Sequence, residues 1–336
     1  MLLAGDVGGT KTVLALFAQD AKDFDHEPEF EETFASREFK SLEAIIESFL
    51  VNKPVTLSGA CFGVAGPVVN QRARITNLPW TIDAQAIAGK LGVGTQLLND
   101  LEAIANAVPH LETDDLFVLN EGQPDADGAI AVIAPGTGLG EAFLVWEGDK
   151  YESYPSEGGH AAFAPTSPRQ IGLLTYWLQR MDHVSYERLC SGIGIPNIYQ
   201  FLADSGDYEV PQWLNDALAA AADKTPVIAK AAYDGHVAIC EDTMDLFMEI
   251  LGGEAANLAL KVLATGGVYI GGGIPPRILP ALAESNFMEV FSSKGRFSRM
   301  MRKMPVYVIR NPRVALFGSA YEALEITRNE RRDTLA

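Results

Sequence analysis

The sequence predicts an α/β protein of two domains. The chain has 336 residues, and one domain takes roughly 150. An apolar strand, a Gly/Thr turn and a returning strand occur at residues 2–17 and recur at 129–146, about 130 residues later. Helical periodicity fills the stretches between apolar runs of strand length. A repeated hairpin with helices after it fits a duplicated architecture better than one continuously wound sheet.

The elements follow in order. Residues 2–5 are apolar, Asp6-Val7-Gly8-Gly9-Thr10-Lys11 is a turn, and 12–17 return as a strand rich in β-formers. Residues 20–32 hold seven acids and one lysine, a solvated hairpin end rather than a metal site. Residues 33–35 are β-like. Leu42, Ile45, Ile46 and Phe49 have helical spacing within 41–51. Residues 55–64 read as a buried strand ending at Ala65-Gly66-Pro67. A helix over 83–91 takes Asp83 as its N-cap, and a strand over 95–98 precedes a helix over 101–108.

A second set begins near residue 110. The strand 129–134 runs into Pro135-Gly136-Thr137-Gly138-Leu139-Gly140, and 142–146 is the next strand. Helices are predicted over 171–180, 193–202, 213–221 and 226–233, and a longer one over 237–263 with Gly252-Gly253 inside it. The strand 267–270 leads into Gly271-Gly272-Gly273, followed by a helix-like 277–283. A strand over 305–309 and a helix over 314–324 close the chain.

Composition removes several function classes. Apolar residues make up 48% and charged residues 21%, which excludes a disordered chain and a membrane protein. The net charge of −18 repels nucleic acid and anionic lipid, so neither is an expected partner. An anionic substrate therefore needs a local device, such as backbone amides or a bound cation. Cys61, Cys190 and Cys240 are odd in number, far apart and lack a C-x-x-C pair, so neither disulfides nor a zinc cluster are expected. The apolar start is too short for a signal segment, and no apolar run reaches about 18 residues. A cytoplasmic setting is the expectation. Residues 293–313 carry Lys294, Arg296, Arg299, Arg302, Lys303, Arg310 and Arg313 without an acid. They read as an exposed segment balancing an acidic body, ahead of a site for an anionic ligand.

Three glycine turns carry chemistry. In the first, Gly8 and Gly9 let backbone N–H groups approach an anion, and Thr10 adds a hydroxyl. Asp6, ending an apolar strand, can hold a hydrated Mg²⁺. In the second, Gly136 and Gly138 resemble part of a dinucleotide fingerprint, but the chain continues as a strand instead of opening a helix, so that reading fails. The third, Gly271-Gly272-Gly273-Ile274-Pro275, gives a flat adenine room against the backbone.

These turns resemble the phosphate-1, phosphate-2 and adenosine motifs of actin-like sugar kinases, and the chain is similar to the bacterial glucokinase family. The likeness rests on the first turn; Leu97-Leu98-Asn99-Asp100; Gly136-Thr137-Gly138-Leu139-Gly140; Ser156-Glu157-Gly158-Gly159-His160; Glu187-Arg188-Leu189-Cys190-Ser191-Gly192; the stretch from Gly266 to Ile274; and Lys294-Gly295-Arg296-Phe297. These run in the family's order over nearly the whole chain. Lys11-Thr12 departs from the common Asn and Ala, and Pro135 precedes the second turn.

The resemblance implies an α/β, two-domain actin-like (ribonuclease H-like) sugar kinase fold with an interdomain cleft. The small domain would span 1–109 plus 313–336, and the large one 110–312. It implies ATP-dependent phosphorylation of glucose at its 6-hydroxyl, with Asp100 as general base. Asn99, Asp100, Glu157, His160 and Glu187 would bind the sugar. Asp6, Gly8, Gly9, Thr10, Lys11, Gly136, Thr137, Gly138, Gly272 and Gly273 would hold MgATP, with Mg²⁺ reached from Asp6 through water. A homodimer is implied as well. The residues suit these roles: a carboxylate takes the proton of a weakly nucleophilic CH₂OH, and amide, carboxylate and neutral imidazole all bond to hydroxyls. Asn99-x-x-Glu102 is also a capping-box pattern, and both readings can hold together. The Cys-rich zinc motif of the related ROK family is missing after His160, which speaks against metal ligation there. His26, His110, His183 and His236 lie outside the motifs, and the four Trp and Met300-Met301 read as packing. The alternatives are a kinase for another hexose or amino sugar such as N-acetylmannosamine, a sugar-responsive regulator, which would need a DNA-binding module before Asp6, and a chaperone-like or filament-forming relative, which would not need the sugar-binding carboxylates.

Overall fold

The computed structural model describes residues 1–20, 23–75 and 78–335; Ala21 and Lys22 of the acidic segment, with Thr76, Asn77 and Ala336, lie outside the described residues. The chain divides into two compact units. One comprises Met1–Glu112, Tyr151–Ser153 and Asn311–Ala336, the other Thr113–Lys150 and Tyr154–Arg310.

The first unit begins with β1 (Leu2–Val7), β2 (Lys11–Phe17), β3 (Phe30–Ala35), α1 (Leu42–Leu50) and β4 (Gly59–Val64). Strands β5 (Val68–Val69), β6 (Arg72–Arg74) and β7 (Thr81–Asp83) form a small sheet, and α2 (Ala84–Leu91), β8 (Thr95–Asn99) and α3 (Asp100–Ala107) follow. The main sheet has the order β3-β2-β1-β4-β8. β1 runs antiparallel to β2 and parallel to β4, and β4 runs parallel to β8. The carboxyl ends of β1, β4 and β8 therefore share one edge, where open α/β sheets bind ligands. The caps follow sequence logic: Ser41 accepts from Ala44 N, Asp83 accepts from Gln85 N and Ala86 N, and Gly92 closes α2 at φ 71°.

The second unit holds β9 (Leu116–Asn120), β10 (Ile130–Pro135), β11 (Leu139–Trp146) and β12 (Tyr151–Ser156). Helices α4 (Pro168–Leu178), α5 (Gly194–Ser205), α6 (Gln212–Ala220), α7 (Thr225–Tyr233) and α8 (Ala238–Val262) come next. After β13 (Gly267–Ile270) come α9 (Leu279–Glu284), α10 (Phe287–Ser292), α11 (Ser298–Met301) and β14 (Val306–Ile309). The sheet order is β12-β11-β10-β13-β14-β9. Helix α8 buries residues on every side and packs against α5, α7, α10 and β10, as expected of a central helix.

Helix α12 (Val314–Leu335) returns to the first unit and packs on α3, β1 and β4. Its Ser319, fully buried, accepts from Gly63 N at 3.1 Å and has Gly5 O at 3.1 Å, which ties the β1–β4 seam from behind. A Cβ on Gly318 would overlap the Ala103 carbonyl, so the α3–α12 crossing needs that glycine.

Several expectations are corrected. The strand over 55–64 begins only at Gly59, because Val55 N closes a turn onto Lys53 O and Ser58 N bonds to Met1 O. The closing helix runs to Leu335 rather than stopping at 324. Trp213 is 52% exposed, so it is not a packing residue, whereas Trp80 is 2% exposed. Lys294 does not belong to a wholly exposed basic segment: its ammonium donates to Asn257 Oδ1 at 2.8 Å and Gly253 O at 3.3 Å. No described helix is long and apolar enough to cross a membrane.

Candidate active site

In the first unit the β1–β2 turn is a tight hairpin, with Gly8 N donating to Lys11 O at 2.9 Å. Ser36 holds it from the side. Its N–H donates to Thr10 O at 3.0 Å, its hydroxyl donates to Gly8 O at 2.8 Å, and it lies 3.0 Å from the buried Thr12 hydroxyl. Sequence reading missed Ser36, which lies 28 residues from Gly8 with no local pattern to mark it. Asp6 is half-buried at the carboxyl end of β1. Burial holds its carboxyl above the usual carboxylate range; Lys11 opposes this and the Asp100 charge adds to it.

Asp100 reaches the same edge from β8. Register places Asp6 opposite Gly63, and Gly63 opposite Leu98, so Asn99 and Asp100 follow just beyond. Asn99 caps α3 with a complete capping box: Leu101 N donates to Asn99 Oδ1 at 2.9 Å, and Asn99 N donates to Glu102 Oε2 at 3.3 Å. Asn99 Nδ2 also donates to Gly66 O at 3.1 Å. Gly66 needs its glycine, since its φ is 149°. The cap, through Asn99 Oδ1, thus fixes Asp100 as first residue of the helix, while the Asn99 amide nitrogen donates to Gly66 O. Asp100 keeps solvent contact, yet the protein packed around its carboxyl raises it above its ordinary value, against hydrogen bonds from Leu101 N–H, its own N–H and Asn99.

In the second unit the structure brings Glu157, His160 and Glu187 together. His160 Nε2 lies 3.7 Å from Glu157 Oε2, and His160 Nδ1 lies 3.8 Å from Glu187 Oε1. The Glu157 side chain is 84% exposed and that of Glu187 only 23%. Glu187 is anchored twice, by its N–H donating to Gly159 O at 2.8 Å and by its Oε2 accepting from Leu139 N at 3.1 Å. The second anchor reaches the residue after Gly136-Thr137-Gly138, so one carboxylate joins the Glu157–His160–Glu187 group to the second glycine turn. A Cβ on Gly138 would overlap that carboxylate, and Gly192 N donates to Gly136 O at 2.8 Å. The third turn joins the same edge through parallel pairing of β10 and β13: Gly271 N donates to Ile133 O at 2.9 Å and Ile274 N to Pro135 O at 3.3 Å. Gly272, at φ 82°, packs on Pro135 where a Cβ would not fit.

The site residues thus form two groups, each complete within its unit: Asp6, the first turn, Asn99 and Asp100 on one; the second and third turns with Glu157, His160 and Glu187 on the other. Among the described residues, no three His, Cys, Asp or Glu side chains cluster so as to hold a metal.

A family model described as Glucokinase matches residues 3–326. The chain belongs to the glucokinase family. A glucokinase of Trichormus variabilis is 42% identical over 335 residues, covering 95% of this chain and 98% of the relative. The crystal structure of a glucokinase from an Antarctic psychrotroph is 32% identical, with a TM-score of 0.85 over 96% of this chain and 98% of that one. A ROK family glucokinase from Streptomyces griseus, solved in complex with glucose and AMPPNP, has a TM-score of 0.64 at 17% identity over 96% of this chain and 99% of that one. The glucokinase family carries the actin-like two-domain α/β fold, which is the fold of this chain.

Proposed function

We propose that this chain transfers the γ-phosphoryl group of ATP to the 6-hydroxyl of glucose, with Asp100 as general base. The placement of Asp100 carries this reading: it stands at the carboxyl edge of the sheet that bears the first phosphate turn, near enough to Asp6 for its charge to act there. Asp100 takes the hydroxyl proton as the new O–P bond forms, and the bond from the γ-phosphorus to the ADP oxygen breaks. A raised carboxyl suits a base, since its proton affinity lies nearer neutrality. Gly8, Gly9 and Thr10, with Gly136, Thr137 and Gly138, present backbone and hydroxyl groups to phosphate oxygens, and Gly272–Gly273 leaves room for the adenine. Glu157, His160 and Glu187 bond the sugar hydroxyls, and Asn99 orients Asp100 through the helix cap.

Mg²⁺ is the proposed companion of ATP, and Asp6 fits it. Burial and the Asp100 charge both disfavour an isolated Asp6 carboxylate, a cost that a hard cation relieves. With no ligand cluster among the described residues, the metal would be held mostly by water and nucleotide oxygens. When bound, it neutralises charge on the transferring phosphoryl group. We further propose a cytoplasmic homodimer acting in glycolysis; the free, buried thiols of Cys61, Cys190 and Cys240 suit a reducing compartment.

The test is hexose-dependent ATP consumption, with kcat/KM compared for glucose, mannose, fructose and N-acetylmannosamine. Glucose should rank first. A clear preference for N-acetylmannosamine would overturn the glucose assignment, and equally low rates on all four would overturn the enzyme reading.

A further inference from the structure

Beneath the turn that carries Glu157 and His160 lie two acids without a role in the reaction above. Glu141 of β11 is 1% exposed, and Glu254 of α8 is wholly buried. Their carboxyls share a hydrogen bond, and each keeps one oxygen, Oε1, without a hydrogen-bond partner. Two carboxylates cannot both stay ionised in contact and out of water, so such a pair holds one proton.

The surroundings of the pair are polar but sparse. Asn257 Nδ2 donates to Glu254 Oε2 at 2.9 Å and to the Tyr186 hydroxyl at 2.9 Å. Lys294 reaches Asn257 rather than either acid. Lys261 Nζ stands 3.6 Å from Glu254 Oε1, with its own side chain 58% exposed. The buried Cys190 thiol feels both acids and is pushed well up by burial first. Glu141 Oε2 lies directly under Gly158, where a Cβ would overlap it. On the same strand, the Leu139 carbonyl packs under Gly159 and its N–H holds Glu187. One strand therefore carries the buried acid, packs under the two glycines between Glu157 and His160, and holds Glu187.

We propose that Glu141 is a positioning residue for the sugar site: its carboxyl, protonated and shared with Glu254, sets the seat of the Gly158–His160 turn, and losing that proton displaces the turn and weakens sugar binding. The inference rests on the assignment of Glu157, His160 and Glu187 to the sugar. Burial first, then the Glu254 charge, push the Glu141 carboxyl up from 4.5 to about 8, with Lys261 opposing. The folded chain thus holds this proton more tightly than the unfolded one. The stabilisation is complete below the unfolded value and is lost as pH rises through the folded one.

The experiment compares the full-length enzyme with Glu141→Gln, whose amide copies the protonated acid, and with Glu254→Gln. KM for glucose and for ATP are measured from about two pH units below the folded value to about one above it. In the parent enzyme KM for glucose should rise several-fold over that range while KM for ATP holds. Glu141→Gln should abolish the rise. Glu254→Gln, which removes the neighbouring charge, should move it to lower pH. The Tm advantage of Glu141→Gln over the parent should widen as pH rises toward about 8 and then level off. A rise in Glu141→Gln parallel to the parent, or a Tm difference flat with pH, would overturn the role of Glu141. Glu187→Gln reads the sugar assignment separately, and an unchanged glucose KM in that variant would overturn that assignment instead.

Discussion

In the first hairpin, Val7 pairs with Thr12 and Gly5 with Leu14; in the second, Pro135 pairs with Leu139 and Ile133 with Glu141. Counted from the last strand pair, Asp6 corresponds to Ala134, and Leu14 to Glu141. Each hairpin also has a parallel neighbour on its other side, β4 for β1 and β13 for β10. Their bracing differs. Buried hydroxyls of Ser36 and Thr12 tie the first turn, whereas the Glu187 carboxylate and the Gly272 turn hold the second. The first hairpin keeps its acid at the strand end, where the proposed metal would bind, and fills the inner position with the fully buried Leu14. The second has no acid at its strand end and buries one at the inner position. On the proposed assignment, one topology would serve phosphate and metal in one unit, and phosphate and sugar in the other.

The largest effect expected from this difference concerns the metal. Chelating Mg²⁺ should abolish activity, and a zinc-selective chelator should leave it intact, since only the first hairpin carries a strand-end acid and no metal cluster stands among the described residues. Activity lost on zinc removal and restored by zinc alone would contradict this.

Next comes the carboxylate that braces the second turn. Glu187→Ala removes the proposed carboxylate acceptor for a sugar hydroxyl, an interaction of about 1.5–3 kcal/mol, and should lower kcat/KM for glucose by roughly 10–100-fold. Steady-state kinetics with glucose varied read this directly; a change confined to KM for ATP would place Glu187 with the phosphates alone.

The inner position offers a stability contrast. Leu14→Gln buries an amide in an apolar cluster and should cost ~1–3 kcal/mol in a denaturant titration, while Glu141→Gln in mildly acid buffer should cost much less. Equal losses at both positions would remove the distinction between them. The smallest effect is expected from Ser36→Ala, which loses a hydroxyl bond to Gly8 O: about 1 kcal/mol of stability and a few-fold rise in KM for ATP. An unchanged KM for ATP would reduce Ser36 to a structural bolt.

Much of this was legible in the sequence, for physical reasons. Glycines at strand ends and caps such as Asp83 and Asn99 act over a few residues, and their local chemistry marks them. The capping box and the sugar-kinase pattern at Asn99-Asp100 coexist, because a helix N-terminus is what holds Asp100 at the sheet edge. What escaped depends on distant partners. Ser319 reaches Gly63 across 256 residues. The strands β5, β6, β7 and β12 are short or weakly apolar, and pairing rather than pattern defines them. Glu254 lies in a helix buried on every side, where one acid does not disturb the apolar pattern. Lys294 looked like part of a basic surface run, since its bond to Asn257 spans 37 residues.

The central claim is that Asp100 removes the proton from the sugar hydroxyl. Its most direct test is kcat of Asp100→Ala beside glucose binding measured on the same preparation. A fall in kcat of ~10²–10⁴-fold with glucose binding retained is the predicted result, the range expected for a lost general base. A near-parental kcat would contradict the claim and leave Asp100 as the first residue of a capped helix.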